Sequence, residues 1–185
     1  MNNGVFKMSS EELTQQYMED KTDSIYIKPA ETDEELCGRG YVHCTAWQEA
    51  YRGIVNDRYL DTMTVEATTA RARNFPDNTL VAKDKDKVVG FAVYSKSRDE
   101  DLPDAGEVDA IYVLSEYYGR KIGYRLMNEA ISRLSEYKTI FVWVLEKNER
   151  AINFYNKYGF EFDGRKKEWN LGGPVTIVRM VMNRE

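Results

Sequence analysis

The sequence predicts a mixed α/β fold in the order β-α-α-β-β-β-α-β-α-β-β. Three observations carry that prediction. Residues 106–126, GEVDAIYVLSEYYGRKIGYRL, switch from strand alternation to helical spacing across a glycine-containing turn. Residues 139–160 read as a strand, a short helix and the start of a further strand. Alternating segments at 80–83 and 88–95, and again at 161–170 and 175–182, are joined by Asp84-Lys85-Asp86 and Gly172-Gly173 as hairpins.

The elements follow in order. Residues 1–23 are polar; Ser9 and Glu12 can cap a short helix that lacks a continuous apolar face. This stretch reads as a partly ordered extension, alternatively a lid or a homodimer contact, ahead of one domain at 24–185. Residues 24–30 alternate as a strand, and Thr32 with Glu35 forms a capping-box pair opening a helix that runs to about Arg52. A second helix is expected over 60–72. An acidic loop at 99–104 leads into Gly106. On the strand that follows, Val108, Ala110 and Tyr112 share one face; Glu107, Asp109, Ile111 and Val113 share the other. Beyond Gly119, Ile122, Leu126, Met127, Ala130, Ile131 and Leu134 form an apolar helical stripe. Asn148 is a good N-cap, Ala151, Phe154, Tyr155 and Tyr158 recur at helical spacing, and Gly159 ends that helix.

Composition narrows the function. A chain of 185 residues fits one domain with a core of its own. A net charge of -5 and the lack of a basic, aromatic-interleaved stripe argue against nucleic acid. No apolar run is long enough to span a bilayer and no signal peptide is evident, so no membrane partner is expected. Cys37 and Cys44 sit on one expected helix, roughly 10 Å apart and too far for a disulfide; the expected compartment is cytoplasmic. One His and two Cys make a zinc site improbable, and no metal is expected.

A strand delivering backbone N–H groups to a helix N-terminus can hold an anion, because orphan amides and the positive end of the helix dipole converge there. Gly119 and Gly123 bracket the turn, and Arg120, Lys121 and Arg125 surround it with positive charge. From these residues alone, a phosphate site and an ordinary solvated basic turn both stay open.

Tyr118-Gly119-Arg120-Lys121-Ile122-Gly123, followed by Asn148, Ala151, Phe154, Tyr155, Gly159 and Phe160, resembles the two cofactor-binding segments of the GNAT superfamily of N-acetyltransferases. Tyr118 stands where the family has Gln or Arg, and Lys121 where it usually has Gly. The resemblance covers about residues 24–185. It implies a mostly antiparallel central sheet flanked by helices, acetyl-CoA as cofactor, and a primary amine as acceptor: a small amine, a polyamine or a peptide amine. It places the pyrophosphate at 118–124, which includes Ile122 and Tyr124. The pantetheine arm then runs along the preceding strand at Ile111, Tyr112 and Val113, with Asn148 in contact.

By the same resemblance Tyr155 is the general acid near the cofactor sulfur, although it also reads as a packed helical aromatic. Glu107 is the leading base and Asp109 the alternative; both can instead bind and orient a cationic substrate, and a water chain can replace either. Another branch of the family places its base where Trp143 stands, which Trp cannot serve. Trp47 and Tyr51 either stack on the acceptor or form one core pair. His43 reads as a packing residue. The acidic loop hints at a cationic acceptor drawn in by its field. The alternative function is a non-catalytic acyl-CoA-binding module.

Overall fold

A computed structural model describes residues 24–184; the extension read at 1–23 lies outside them. Seven strands form one sheet in the order β1-β2-β3-β4-β5-β7-β6, antiparallel except where β4 meets β5. The strands are β1 (Ile25–Pro29), β2 (Thr79–Asp84), β3 (Lys87–Lys96), β4 (Gly106–Val113), β5 (Thr139–Leu145), β6 (Glu161–Asn170) and β7 (Pro174–Asn183). The helices are α1 (Asp33–Tyr51), α2 (Asp57–Asp61), α3 (Val65–Asn74), α4 (Ile122–Arg133) and α5 (Glu149–Tyr158).

The expected order holds, with one difference. The single helix expected over 60–72 is two. Thr64 adopts an extended backbone, φ -119°, and its hydroxyl accepts from the Ala67 N–H, so it caps α3 and cannot continue α2. The Thr32–Glu35 capping box forms as read, and Glu35 is further held by Lys28 and Lys83.

Two helical layers sandwich the sheet. The apolar stripe of α4 packs with Tyr155 of α5 and Phe160 against Leu80, Val89, Val108, Ile140 and Val142. On the opposite face Val42 of α1 packs with Val81, Phe91 and Leu114.

The faces of β4 depart from simple alternation. The β3–β4 register slips between Val93, opposite Ala110, and Tyr94, opposite Val108, so Asp109 is an extra, bulged residue. Val108 therefore joins Ile111 and Val113 on the α4 side, while Ala110 and Tyr112 turn to α1. This corrects the sequence-based assignment of Val108 to the Ala110 and Tyr112 face. A one-residue bulge inverts every position beyond it, and nothing in the residue pattern marks where it falls.

Candidate active site

The site grows from a split in the sheet. β4 and β5 pair only at Gly106–Ile140 and Glu107–Phe141, then part. The Leu114 N–H donates to Val89 on the β3 side. By strand alternation Tyr112 faces β3 as well, and the backbones of Ile111 and Val113 face the gap toward β5. These are the two positions expected to hold an extended cofactor arm. The Tyr112 side chain is partly buried on the α1 side of the sheet, against Phe91 and Tyr51.

At the mouth of the gap lies the basic turn. Gly119 has φ +81° and Lys121 has φ +57°, both left-handed. Lys121 is the N-cap of α4 but makes no side-chain cap, and the first turn of α4 carries no acid. The helix start thus keeps amides that no described side chain caps, and its first turn brings no carboxylate of its own. Ile122 contributes backbone only, since its side chain is in the core. The expected ring of cations is looser than read. Arg120 lies 3.7 Å from Asp84, and Arg125 donates to the Ile25 carbonyl at 2.9 Å, beside β1 rather than over the turn. Tyr118 carries the Arg150 guanidinium 3.3 Å from its ring centre, and the half-exposed Tyr124 packs on Tyr158. The contact from Arg150 joins α5 to the turn across the split.

An aromatic cluster closes the inner end. Tyr51 and Tyr112 share a hydroxyl–hydroxyl bond of 2.9 Å. Trp47 meets Tyr51 edge-on at 4.9 Å, and His43 stacks on Tyr112 at 5.7 Å. Tyr51 is buried in this cluster and Trp47 partly so. Burial pushes His43 down to about 4, with Arg39 and Arg71 adding repulsion, so it is neutral near pH 7 and serves packing. Tyr155 is buried against Phe154 and Phe160. Burial, then the nearby Tyr51, raises its phenol well above the usual range, so it stays protonated near neutral pH. Asn148 caps α5 by accepting from Ala151 N–H at 3.1 Å. Gly159, at φ +111°, turns the chain so that Phe160 N–H returns to the Tyr155 carbonyl at 3.0 Å.

Two carboxylates lie at the base of β4. Glu107 is raised to about 7, first by burial and then by the charge of Asp109, with Arg98 opposing the rise. Arg98 Nη2 contacts Asp109 Oδ1 and lies 3.6 Å from Glu107 Oε2. Asp109 Oδ2 and Ser95 Oγ are buried with no hydrogen-bond partner among the described residues. The acidic loop is not a free steering field. Asp99 accepts from Trp143 Nε1 at 3.0 Å and pairs with Lys167 and Arg179. Asp101 pairs with Arg179 at 3.0 Å and with Arg165 at 3.0 Å. Its charge goes chiefly to fastening the loop onto β5, β6 and β7.

The sequence pattern of the acetyltransferase (GNAT) family matches residues 42–160. The chain belongs to the GNAT family. It is an N-acetyltransferase with acetyl-CoA as the acetyl donor. The uncharacterized N-acetyltransferase YuaI of Bacillus subtilis is 29% identical over 82% of this chain and 95% of its own. The spermine/spermidine N(1)-acetyltransferase of the same species is 33% identical over 50% of this chain and 62% of its own. The crystal structure of the PaiA N-acetyltransferase from Thermoplasma acidophilum, in complex with coenzyme A, shares the fold. Its TM-score is 0.64, with 21% identity over 86% of this chain and 98% of that one.

The residues of this GNAT chain fit coenzyme A. The uncapped, acid-free start of α4 suits a pyrophosphate, and the outward backbone of Ile111 and Val113 suits a pantetheine amide. Lys121 adopts the left-handed geometry that the usual glycine would supply, so the substitution keeps the turn. Two residues escaped the sequence reading: Arg98, on the carboxylate pair, and Arg150, on Tyr118. Arg98 lies outside both segments and Arg150 at an unspecified position of the second, and each makes its contact through the tertiary fold.

Proposed function

We propose that this acetyltransferase acetylates a primary amine of a cationic acceptor, a polyamine before a peptide amine, in a ternary complex with Glu107 as general base and Tyr155 as general acid. One observation carries the reading: a buried carboxylate tuned to about 7, where β4 and β5 part. An alkylammonium must lose a proton before it can attack, and a base matched to the working pH does this best. Acetyl-CoA supplies an activated acetyl thioester. Glu107 takes the proton of the ammonium, directly or through a water. Asp109 offers the second charge that orients the cation. Tyr155 O–H gives its proton to the departing sulfur and regains one from the nitrogen, which sheds its second proton as the amide forms. The backbone amides of 118–124 hold the pyrophosphate, the backbones of Ile111 and Val113 the pantetheine arm, and Asn148 fixes the helix that carries Tyr155.

The relative named for spermine and spermidine supports a polyamine acceptor. Trp47 and Tyr51 shape the wall of the pocket rather than stack on the acceptor. A cytoplasmic setting suits Cys37 and Cys44, both free thiols. A homodimer belongs to the same reading; the outer edge of β6, with Phe162 and Trp169 half-exposed, is the surface open to pairing.

The test records thiol release from acetyl-CoA with spermidine, a lysine peptide and an uncharged arylamine, across pH. Turnover should favour spermidine, with kcat/KM falling below about pH 7 as Glu107 gains a proton. No thiol release with any amine, or a flat profile from about pH 6 to about pH 8, defeats the assignment.

A further inference from the structure

We propose that Arg98 is a built-in stand-in for the acceptor: its guanidinium occupies the Glu107–Asp109 pair in the free enzyme and yields it to the incoming ammonium. The inference rests on the reading of Glu107 and Asp109 as the acceptor's carboxylates. Three observations lead to it.

The first is the contact itself. Arg98 Nη2 meets Asp109 Oδ1 and lies 3.6 Å from Glu107 Oε2. A guanidinium there satisfies the chemistry that an alkylammonium would satisfy. The second is the asymmetry of burial. The carboxylate side chains are 12% and 16% exposed, while that of Arg98 is 72% exposed. The acids are fixed in the wall and the cation reaches them from solvent, so it can leave without opening the fold. The third is how the loop is held. The neighbouring Asp99 is pinned by Trp143, Lys167 and Arg179, and its N–H donates to Ser97 Oγ at 3.1 Å. The backbone stays put, and a change at this position is confined to the side chain.

The charged groups facing Glu107 are Asp109 on β4, Arg98 and Asp99 in the β3–β4 loop, and Lys167 on β6; Arg39 of α1 faces Asp109. Among the described residues, only Arg98 touches both carboxylates while remaining largely in solvent. An exposed ion pair of this kind is weak enough for a substrate to displace. Acceptors with two or more cationic centres compete best, because a second ammonium can replace the lost guanidinium on Asp109.

The experiment compares the wild type with Arg98→Ala and Arg98→Lys. Carboxyl 13C NMR follows the titration of Glu107 in the enzyme without acceptor, and steady-state kinetics give KM for spermidine. In Arg98→Ala the Glu107 midpoint should rise by about half a pH unit, and KM for spermidine should fall about two- to five-fold. Arg98→Lys should restore both toward wild type. An unmoved midpoint, or a KM that is unchanged or higher, overturns the proposal. Failure of the base assignment looks different: Glu107→Gln would then turn over normally, whatever the NMR midpoint does in Arg98→Ala.

Discussion

The two halves of the site present opposite faces to their ligands. On the cofactor side, the start of α4 has no side-chain cap and no acid in its first turn, and the edge of β4 parts from β5. On the acceptor side nearly every charge already has a partner from the same chain: Asp109 has Arg98, and Asp99 and Asp101 share Arg179 with Lys167 and Arg165. A constant ligand is met by backbone that waits for it. In the proposed reading, a variable ligand is met by side chains that must first be taken from each other.

The sharpest test of this contrast is Glu107→Gln. Loss of the base should lower kcat by about 100- to 1,000-fold while the affinity for coenzyme A, measured by calorimetry, stays within about two-fold. Stability should move the other way. The folded-state value of about 7 lies above the ordinary 4.5, so the folded protein binds this proton more tightly than the unfolded chain. Stability is therefore lost as pH rises from about 4.5 to 7, and above that the ionised, buried carboxylate remains a cost. Glu107→Gln removes the cost. Urea unfolding at about pH 8 should show a gain on the order of 2 kcal/mol that vanishes near pH 4. A variant that lost activity and stability together would mean that Glu107 is a structural anchor, and the acceptor half would then resemble an ordinary ion-pair network.

Arg179→Met tests the fastening of the acceptor loop. Arg179 is buried and meets Asp99 at 3.3 Å, Asp101 at 3.0 Å and Asp163 at 2.7 Å. Removing it takes one partner from each of three carboxylates, which keep Trp143, Lys167 and Arg165, and should cost about 2–4 kcal/mol near pH 7 by urea unfolding. Hydrogen bonding from Arg179 holds the Asp101 carboxyl below its usual range, so this stabilisation exists above the ordinary value and fades as pH falls through the lowered one. The penalty of the variant should accordingly shrink below about pH 4. A penalty that is the same at both pH values would point to lost packing instead of lost charge.

The same contrast explains what was legible in the sequence. The turn at 118–123 and the helix from Asn148 to Gly159 are local: caps, glycines and spacing fix their conformations, and the structure reproduces them. The elements of the fold were readable for the same reason, except where Thr64 stops α2 and restarts the chain as α3. The acceptor half is long-range. Arg179 reaches Asp101 from 78 positions away, and Arg98 meets Asp109 where β4 bulges. The first meeting spans a large part of the chain, and the second lies across a loop and a strand start whose residue pattern does not mark it. Glu107 was readable as a candidate, but the burial that tunes it belongs to the assembled sheet.

The smallest effect probes the cofactor half, at Lys121. A lysine at φ +57° gives up about 1 kcal/mol relative to glycine in that conformation, partly recovered because glycine is freer in the unfolded chain. Lys121→Gly and Lys121→Ala both remove the ammonium, but only glycine relieves the backbone. The glycine variant should melt about 1–3 °C above wild type, and the alanine variant at or slightly below it. If backbone amides carry the pyrophosphate, calorimetry should find both variants binding coenzyme A within about three-fold of wild type, the remaining loss being one screened surface charge. A ten-fold or larger loss in both would make the ammonium a principal ligand. The cofactor half would then depend on side-chain charge as the acceptor half does, and the contrast between waiting backbone and borrowed side chains would fail at the position where this chain departs from its family.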